Sequence, residues 1–317
     1  MHTQVNQPVY AYNYSRSDMK EIALQTKQRK EKIFNLVYLL PMVIVFVVFI
    51  VIPVISVFNN SFYNIRLNGT KVWLGLNNYK KFIGDSKTIL AFKNTLIWVG
   101  GGTLAKIILG LVMALILYKD FHGKRLLTGV MLIPYATPAA VSCMIWRNMY
   151  HPSFGHIGQF LRDIGILAGE VSFLGSMKTS LIAVMIVNVW AVAPFCALNI
   201  LATLYSIPTY LYEAADIDGA NAIQRFFAIT FPLILRDVRT LALLIAIWAF
   251  NSFDVIYMMT TGGPANSSSI FVNLIYQNAF EFNNRGYSAA ISVVCFILLS
   301  ILAVFYVRSK GKDISYE

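Results

Sequence analysis

The chain has 317 residues, of which 57% are hydrophobic and only 13% are charged, and its mean hydropathy is +0.61. Soluble domains carry about 25% charged residues, so this composition excludes an ordinary soluble globular protein. The formal net charge is +11. Basic residues that flank membrane segments and meet anionic lipid account for it, and no nucleic-acid partner is expected.

The apolar residues fall in six segments, each near the length of about 20 residues that a helix needs to cross a bilayer. Lys106 and Asp254 are the clear charged exceptions, and Lys106 is expected to snorkel to the surface or to pair with another subunit. The sequence therefore predicts an all-α membrane protein with six transmembrane helices in one domain, 33–308. The segments lie at about 33–58, 95–118, 126–146, 181–204, 240–259 and 288–307.

The content of lysine and arginine differs between the two sides of these segments, which predicts the orientation. Both ends and the segments 119–125 and 205–239 together hold 15 of these residues, whereas the opposite loops hold 10. We therefore expect 1–32 and 309–317 to be cytoplasmic tails, the first being the anchor of a membrane helix rather than a cleaved signal peptide. The loop 59–94 departs from the rule and is expected to carry a surface helix.

A polar stretch from Glu213 to Pro232, EAADIDGANAIQRFFAITFP, separates the fourth and fifth segments. Helix-forming residues extend to about Ile217, where Gly219 permits a left-handed turn. Asn221, with Gln224 three residues later, has the spacing of a capping box that starts a second helix. The stretch therefore predicts a helix–turn–helix in water between two membrane helices.

The order of residues in this stretch resembles the EAA loop of ATP-binding-cassette importer permeases, the cytoplasmic element that docks on a motor ATPase. The resemblance implies that the chain is the membrane subunit of an importer and that the loop, about 206–235, holds a coupling helix. The leucine that usually precedes the final proline is replaced by Phe231. The resemblance assigns ATPase coupling to Glu213, Ala214, Ala215, Asp218, Gly219, Ile229 and Pro232. We expect Asp216 to take part as an acid that can pair with an arginine or lysine of the ATPase.

Shorter motifs resemble the larger-partner permeases of carbohydrate importers of the maltose-uptake type, which are MetI-like and depend on a binding protein. The resemblance covers about 35–310 and lacks the large extracellular insertion of some members. It implies a second, related permease, an ATPase dimer, an extracellular solute-binding protein, a sugar or oligosaccharide substrate and a place in the prokaryotic cytoplasmic membrane. The motifs are Asn94-Thr95-Leu96, the block Pro138–Arg147, Pro152–Gly155, and Thr261–Pro264 with Tyr276 and Phe280 downstream.

A sugar pathway needs amide or hydroxyl groups for the sugar hydroxyls and aromatic faces for its C–H surfaces, near the middle of the bilayer. The spacing of Asn188, Phe195 and Asn199 puts them on one helical stripe, and the residues from Trp248 to Val255 are expected to share a face. The alternative is that these residues only hold neighbouring helices together. The predicted sugar-facing residues are Tyr135, Asn188, Phe195, Trp248, Asn251 and Ser252.

No phosphate-binding loop, metal-ligand cluster or nucleophile motif occurs in the sequence. We therefore expect the chain to be no enzyme and to bind no cofactor, with ATP and Mg held by a separate ATPase. Three alternatives stay open. They are a permease for another solute such as glycerol phosphate, an ion-coupled secondary transporter with Asp254 as its carboxylate, and a membrane-embedded enzyme, for which no converging acid and base are visible.

Overall fold

The computed structural model describes Phe34 and residues 38–66 and 68–311, except the side chains of 309–311. The predicted tail 1–32 and residues 312–317 of the other tail lie outside this part of the chain. The chain divides into two units, Met1–Ser56 and Val57–Glu317, which are described separately. Helix α1, Tyr38–Asn60, supplies most of the described part of the first unit, and its apolar side chains are exposed.

A hairpin and a short helix lie near the start of the second unit. Strands β1, Tyr63–Ile65, and β2, Lys71–Trp73, pair antiparallel, with Tyr63 opposite Trp73. Helix α2, Asn77–Gly84, follows, and its Asn78 donates to the carbonyls of Ser61 and Tyr63 over 2.8 and 3.1 Å. The surface helix predicted for the loop 59–94 is therefore present, and a hairpin accompanies it.

Three long apolar helices of this unit match predicted segments. Helix α3 spans Ser86–Tyr118, α7 spans Ser180–Tyr205 and α12 spans Arg285–Gly311. The predicted start of α3 at 95 is wrong, because Asp85 caps a helix that begins at Ser86 by accepting from the Lys87 backbone N–H over 3.1 Å. The helix therefore begins in the polar loop 59–94, before the apolar residues start.

The segments predicted at 126–146 and 240–259 are bent pairs rather than single helices. Helices α4, Lys124–Ala136, and α5, Ala139–Met149, meet at 96°, because Pro138 lacks an N–H and disfavours helical backbone at Thr137. Helices α9, Ala222–Phe250, and α10, Asp254–Thr260, meet at 46°. Within the described residues, four helices are long and apolar enough to cross a membrane, or six if each bent pair is one span.

Three short helices complete the described chain: α6, His156–Asp163, α8, Tyr210–Ile217, and α11, Phe271–Tyr276. The most extensive helix contact is between α3 and α7, where Gly110 lies against Cys196 and Ala197. A buried cluster joins these two helices to α9. Its members are Ile107, Ala114, Cys196, Ile200, Leu204, Ile207, Ile234, Leu241 and Ile245.

Candidate functional site

Helix α8 lies in the chain between α7 and α9, two of the three helices of this cluster, and the sequence predicted its local structure correctly. It ends at Ile217 because Gly219 takes a left-handed backbone, with φ of 75°. Asn221 then accepts from the backbone of Ile223 and Gln224 over 3.1 and 2.9 Å. The Gln224 side chain accepts from the Asn221 backbone over 2.8 Å, so both predicted helices and the capping box are confirmed.

The outer face of this helix–turn–helix exposes both acids and large apolar groups. Glu213, Asp216, Asp218 and Gly219 are exposed, as is Ala214, whereas Ala215 is half-buried. Ile217 is 88% exposed, which a lone chain in water would not favour. Such a mixed surface suits a protein partner that supplies both apolar groups and cations. The other large exposed apolar side chains here are Tyr210, Ile223 and Phe227.

The inner face of α8 is fixed to the membrane helices. Tyr212 and the half-buried Ile229 pack against the cluster that joins α7 and α9. The hydroxyl groups of Tyr212 and Thr230 are hydrogen-bonded over 2.9 Å. Ile229 therefore anchors the loop rather than presenting itself to a partner, whereas Pro232 is exposed.

A salt bridge that sequence reasoning missed closes the turn. The Arg225 guanidinium donates to the Asp216 carboxylate across Gly219. The two residues are nine positions apart, and only the turn geometry brings them together, so no local spacing rule would have found the pair. It holds Asp216 in place beside the exposed Glu213.

The preceding polar connection, 119–123, also touches this end of the molecule. Lys124 donates to the Asp120 carboxylate over 2.8 Å and to the Tyr205 hydroxyl over 3.0 Å. The hydrogen bond from Lys124 lowers the pKa of Asp120. The connection between α3 and α4 is thereby linked to the end of α7, where the segment that leads into α8 begins.

Three of the predicted sugar-facing residues form a row of aromatic rings from three helices. Tyr135 of α4 stacks on Phe195 of α7, with ring centroids 5.5 Å apart and planes at 29°. Phe195 contacts Trp248 of α9 with centroids 5.2 Å apart. Tyr135 and Trp248 are 47% and 46% exposed, so the row has an open face that a ligand can reach.

Helix α7 also carries the two asparagines of the predicted stripe. Asn188 is buried, two turns from Phe195, and Asn199 is exposed one turn beyond it. Asn199 lines a cavity of about 490 Å³ between α7, α9 and α12. Its polar lining groups are Asn199, Thr203, Ser206, Asp237, Thr240 and Tyr306, and apart from Asn199 sequence reasoning had not singled them out.

The expected common face from Trp248 to Val255 is wrong, because the helix ends at Phe250 and restarts at Asp254. Trp248 and Asn251 are exposed, Ser252 is half-buried in the break, and Val255 is buried. Asn251 donates to the Ile247 carbonyl over 3.1 Å. Ser252 thus lies near the row but on irregular backbone.

The two charged residues of the predicted membrane segments, Asp254 and Lys106, differ in their exposure. Asp254 is exposed in the first turn of α10, where a carboxylate interacts favourably with the helix dipole. Lys106 is 2% exposed. The expectation that it snorkels or meets another subunit is therefore wrong. In the described part of the chain, no three His, Cys, Asp or Glu side chains converge as a metal site would require.

This chain is similar in sequence to a known family of transport proteins. Residues 106–312 match the family described as "Binding-protein-dependent transport system inner membrane component". The trehalose/maltose transport system permease protein MalF of Thermococcus litoralis is 34% identical over 89% of this chain and 95% of its own length. The sulfoquinovosyl glycerol transport system permease protein SmoG of Agrobacterium fabrum is 31% identical over 88% of this chain and 90% of its own.

A solved structure shares the fold. A chain of a bacterial ABC transporter involved in the import of the acidic polysaccharide alginate superposes with a TM-score of 0.78. It is 21% identical, and the superposition covers 90% of this chain and 98% of that one. At this level of identity the likeness concerns the fold alone.

Proposed function

The chain belongs to the family of inner-membrane components of binding-protein-dependent transport systems, and from this we propose that it is the permease subunit of an ATP-driven sugar importer. The observation that carries the proposal is the joining of α8, with its exposed acidic and apolar face, to the helices that hold the aromatic row. A chain that only packed in the membrane would have no use for such a surface in water.

In this proposal each bent pair is one span, which gives six membrane helices with both ends and α8 in the cytoplasm. A related permease completes the pathway. ATP is bound and hydrolysed by a separate ATPase dimer, and an extracellular binding protein delivers the substrate. The solved alginate transporter in complex with an alginate pentasaccharide-bound periplasmic protein supports the last assignment by its shared fold.

The coupling mechanism follows from how α8 is attached. Closure of the ATPase dimer pushes on the face that carries Glu213 and Ile217. The Tyr212–Thr230 hydrogen bond and the packing of Ile229 pass this motion to α7 and α9. Because those helices carry Phe195 and Trp248, the same motion opens and closes the pathway on alternate sides.

The pathway residues favour an uncharged sugar or oligosaccharide. Aromatic rings bind the C–H faces of sugars, and the amides of Asn188 and Asn251 offer hydrogen bonds. Asp237 is the one charged group among the residues lining the adjoining cavity, and its carboxylate would repel an anion such as glycerol phosphate. The names of the trehalose/maltose and maltodextrin permeases among the relatives support the same choice.

The test is purification of the full chain from native membranes in mild detergent, followed by mass spectrometry and sugar uptake in liposomes. Glu213→Lys should leave the chain inserted but lose both the ATPase and ATP-dependent uptake. Glu170→Lys, which reverses an exposed acid outside the coupling loop, serves as the matched control. Uptake that survives ATP depletion but collapses with the ion gradient would show a secondary transporter instead.

A further inference from the structure

An apolar groove of about 1150 Å³ runs between α3, α9 and α12, away from the aromatic row. Its walls are almost wholly aliphatic or aromatic. Two charged groups line it, Arg239 and Arg308. The remaining lining residues are Val99, Gly100, Thr103, Leu104, Ile107, Val238, Ala242, Leu243, Ala246 and Phe305.

The two arginines lie at the same end of the groove. Trp98 of α3 donates to the Ala249 carbonyl of α9 over 3.1 Å, and nine residues further along α3 Ile107 lines the groove with Val238. The two helices are therefore antiparallel, and Arg239 lies level with Ile107. Helix α12 approaches this level only at its end, with Arg308.

We place this end of the groove at a membrane surface, because Arg308 ends the candidate span Arg285–Arg308. Both arginines are exposed and form no salt bridge among the described residues. Asp237, two positions from Arg239, lines the cavity on another side of α9. Within the described residues, the groove therefore has two cations at its mouth that no carboxylate pairs with.

The apolar part is long enough for an acyl chain. A second apolar pocket, lined by Phe92, Leu96 and Leu298, lies further along α3 and shares Val99 with the groove as a wall residue. From Ile107 to Phe92 a helix rises about 22 Å, which exceeds the roughly 15 Å that one leaflet contributes to the hydrocarbon core. Within the wall, the hydroxyl of Thr103 is buried and has no hydrogen-bond partner in the described chain.

We propose that this groove is a binding site for one anionic phospholipid. The headgroup phosphate pairs with the guanidinium groups of Arg239 and Arg308, for which phosphate is a well-matched bidentate partner. One acyl chain follows the aliphatic wall toward Phe92. Charge complementarity selects the lipid class, because a zwitterionic headgroup brings its own cation against the arginines.

The test is native mass spectrometry of the full chain in detergent, titrated with dioleoylphosphatidylglycerol or dioleoylphosphatidylcholine. Phosphatidylglycerol should bind in preference, and Arg239→Gln/Arg308→Gln should weaken its binding roughly tenfold, as loss of charged hydrogen bonds implies. Arg125→Gln, which removes an exposed cation outside the groove, should bind it normally. Equal binding of both lipids, or equal loss in the control, would overturn the proposal.

A second variant tests the acyl path without touching charge. Ala242→Trp fills the middle of the groove and should reduce phosphatidylglycerol binding, whereas millimolar inorganic phosphate should not displace the lipid. Ala242→Cys in the assembled transporter should label with a lipid-borne photoprobe. Crosslinking of that cysteine to a helix of another subunit instead would show that protein occupies the groove and would refute the lipid site.

Discussion

The side-chain amide of Asn94 donates to the backbone carbonyl of Ser269 over 2.9 Å, although the residues lie 175 positions apart. The same amide also donates to the carbonyls of Asn266 and Ser267 over 3.2 and 3.0 Å. Thr95 adds a hydrogen bond by accepting from the Phe271 backbone over 3.1 Å. Asn94 and Thr95, of a motif that the sequence offered only as a resemblance, therefore hold the segment that follows the Thr261–Pro264 motif in one buried clamp.

Asn94→Asp should destabilise the chain strongly. The carboxylate is nearly isosteric but cannot donate, so it would face buried carbonyls with like partial charge and leave them unsatisfied. We expect a loss on the order of 3 kcal/mol, seen as a lower melting temperature of the detergent-solubilised chain. Asn148→Asp, at an exposed position, is the matched control. Equal melting temperatures for the two variants would show that the hydrogen bonds of Asn94 do not contribute to the stability of the fold.

Gly219 is the residue on which the turn after α8 depends. Its φ of 75° is left-handed, and nothing lies within 4 Å of the place that a Cβ would take, so backbone strain alone would penalise substitution. Gly219→Val should cost about 1–2 kcal/mol locally and displace α8, reducing recovery of the ATPase. Gly219→Asn, a residue that tolerates this backbone, should keep it. If valine and asparagine behave alike, the turn geometry is not what positions α8.

The sequence correctly predicted the elements that are determined by residues close together in the chain. The capping pair Asn221 and Gln224 and the turn at Gly219 specify the helix–turn–helix without help from distant residues. The bend at Pro138 is also local, but hydropathy summed over 126–146 treats two helices at 96° as one. Helical periodicity likewise predicted that Trp248 and Val255 share one face. The prediction failed because the chain leaves the helix after Phe250, between these two residues.

What the sequence could not supply is the meeting of residues from different helices. Tyr135, Phe195 and Trp248 were chosen one by one for their chemistry, and only the packing of α4, α7 and α9 makes them a row. Arg225 and Asp237 escaped notice because their roles depend on a turn and on a cavity between three helices.

The closeness of α3 and α7 depends on Gly110. A Cβ at this position would lie 2.6 Å from the Cβ of Cys196 and 3.0 Å from the Ala197 nitrogen, so Gly110→Ala should force the helices apart. Overpacking of this kind costs about 1–3 kcal/mol, measurable as a lower melting temperature. Gly129→Ala, where nothing lies within 4 Å, should be silent. Adding Cys196→Gly to Gly110→Ala should restore part of the lost melting temperature. If it does not, the contact with the Cys196 side chain is not the source of the strain.

The aromatic row makes the most direct prediction about transport. Trp248 is 46% exposed and contacts Phe195, so its removal should weaken sugar binding while leaving the fold intact. Trp248→Ala should raise the KM of sugar uptake about three- to tenfold, as loss of one ring contact implies, and Trp248→Phe should keep most of the affinity. Trp73→Ala, which removes a 62% exposed ring from the β1–β2 hairpin, is the control. An unchanged KM in Trp248→Ala with normal ATPase coupling would mean that the sugar passes elsewhere and that the row only packs α4, α7 and α9 together.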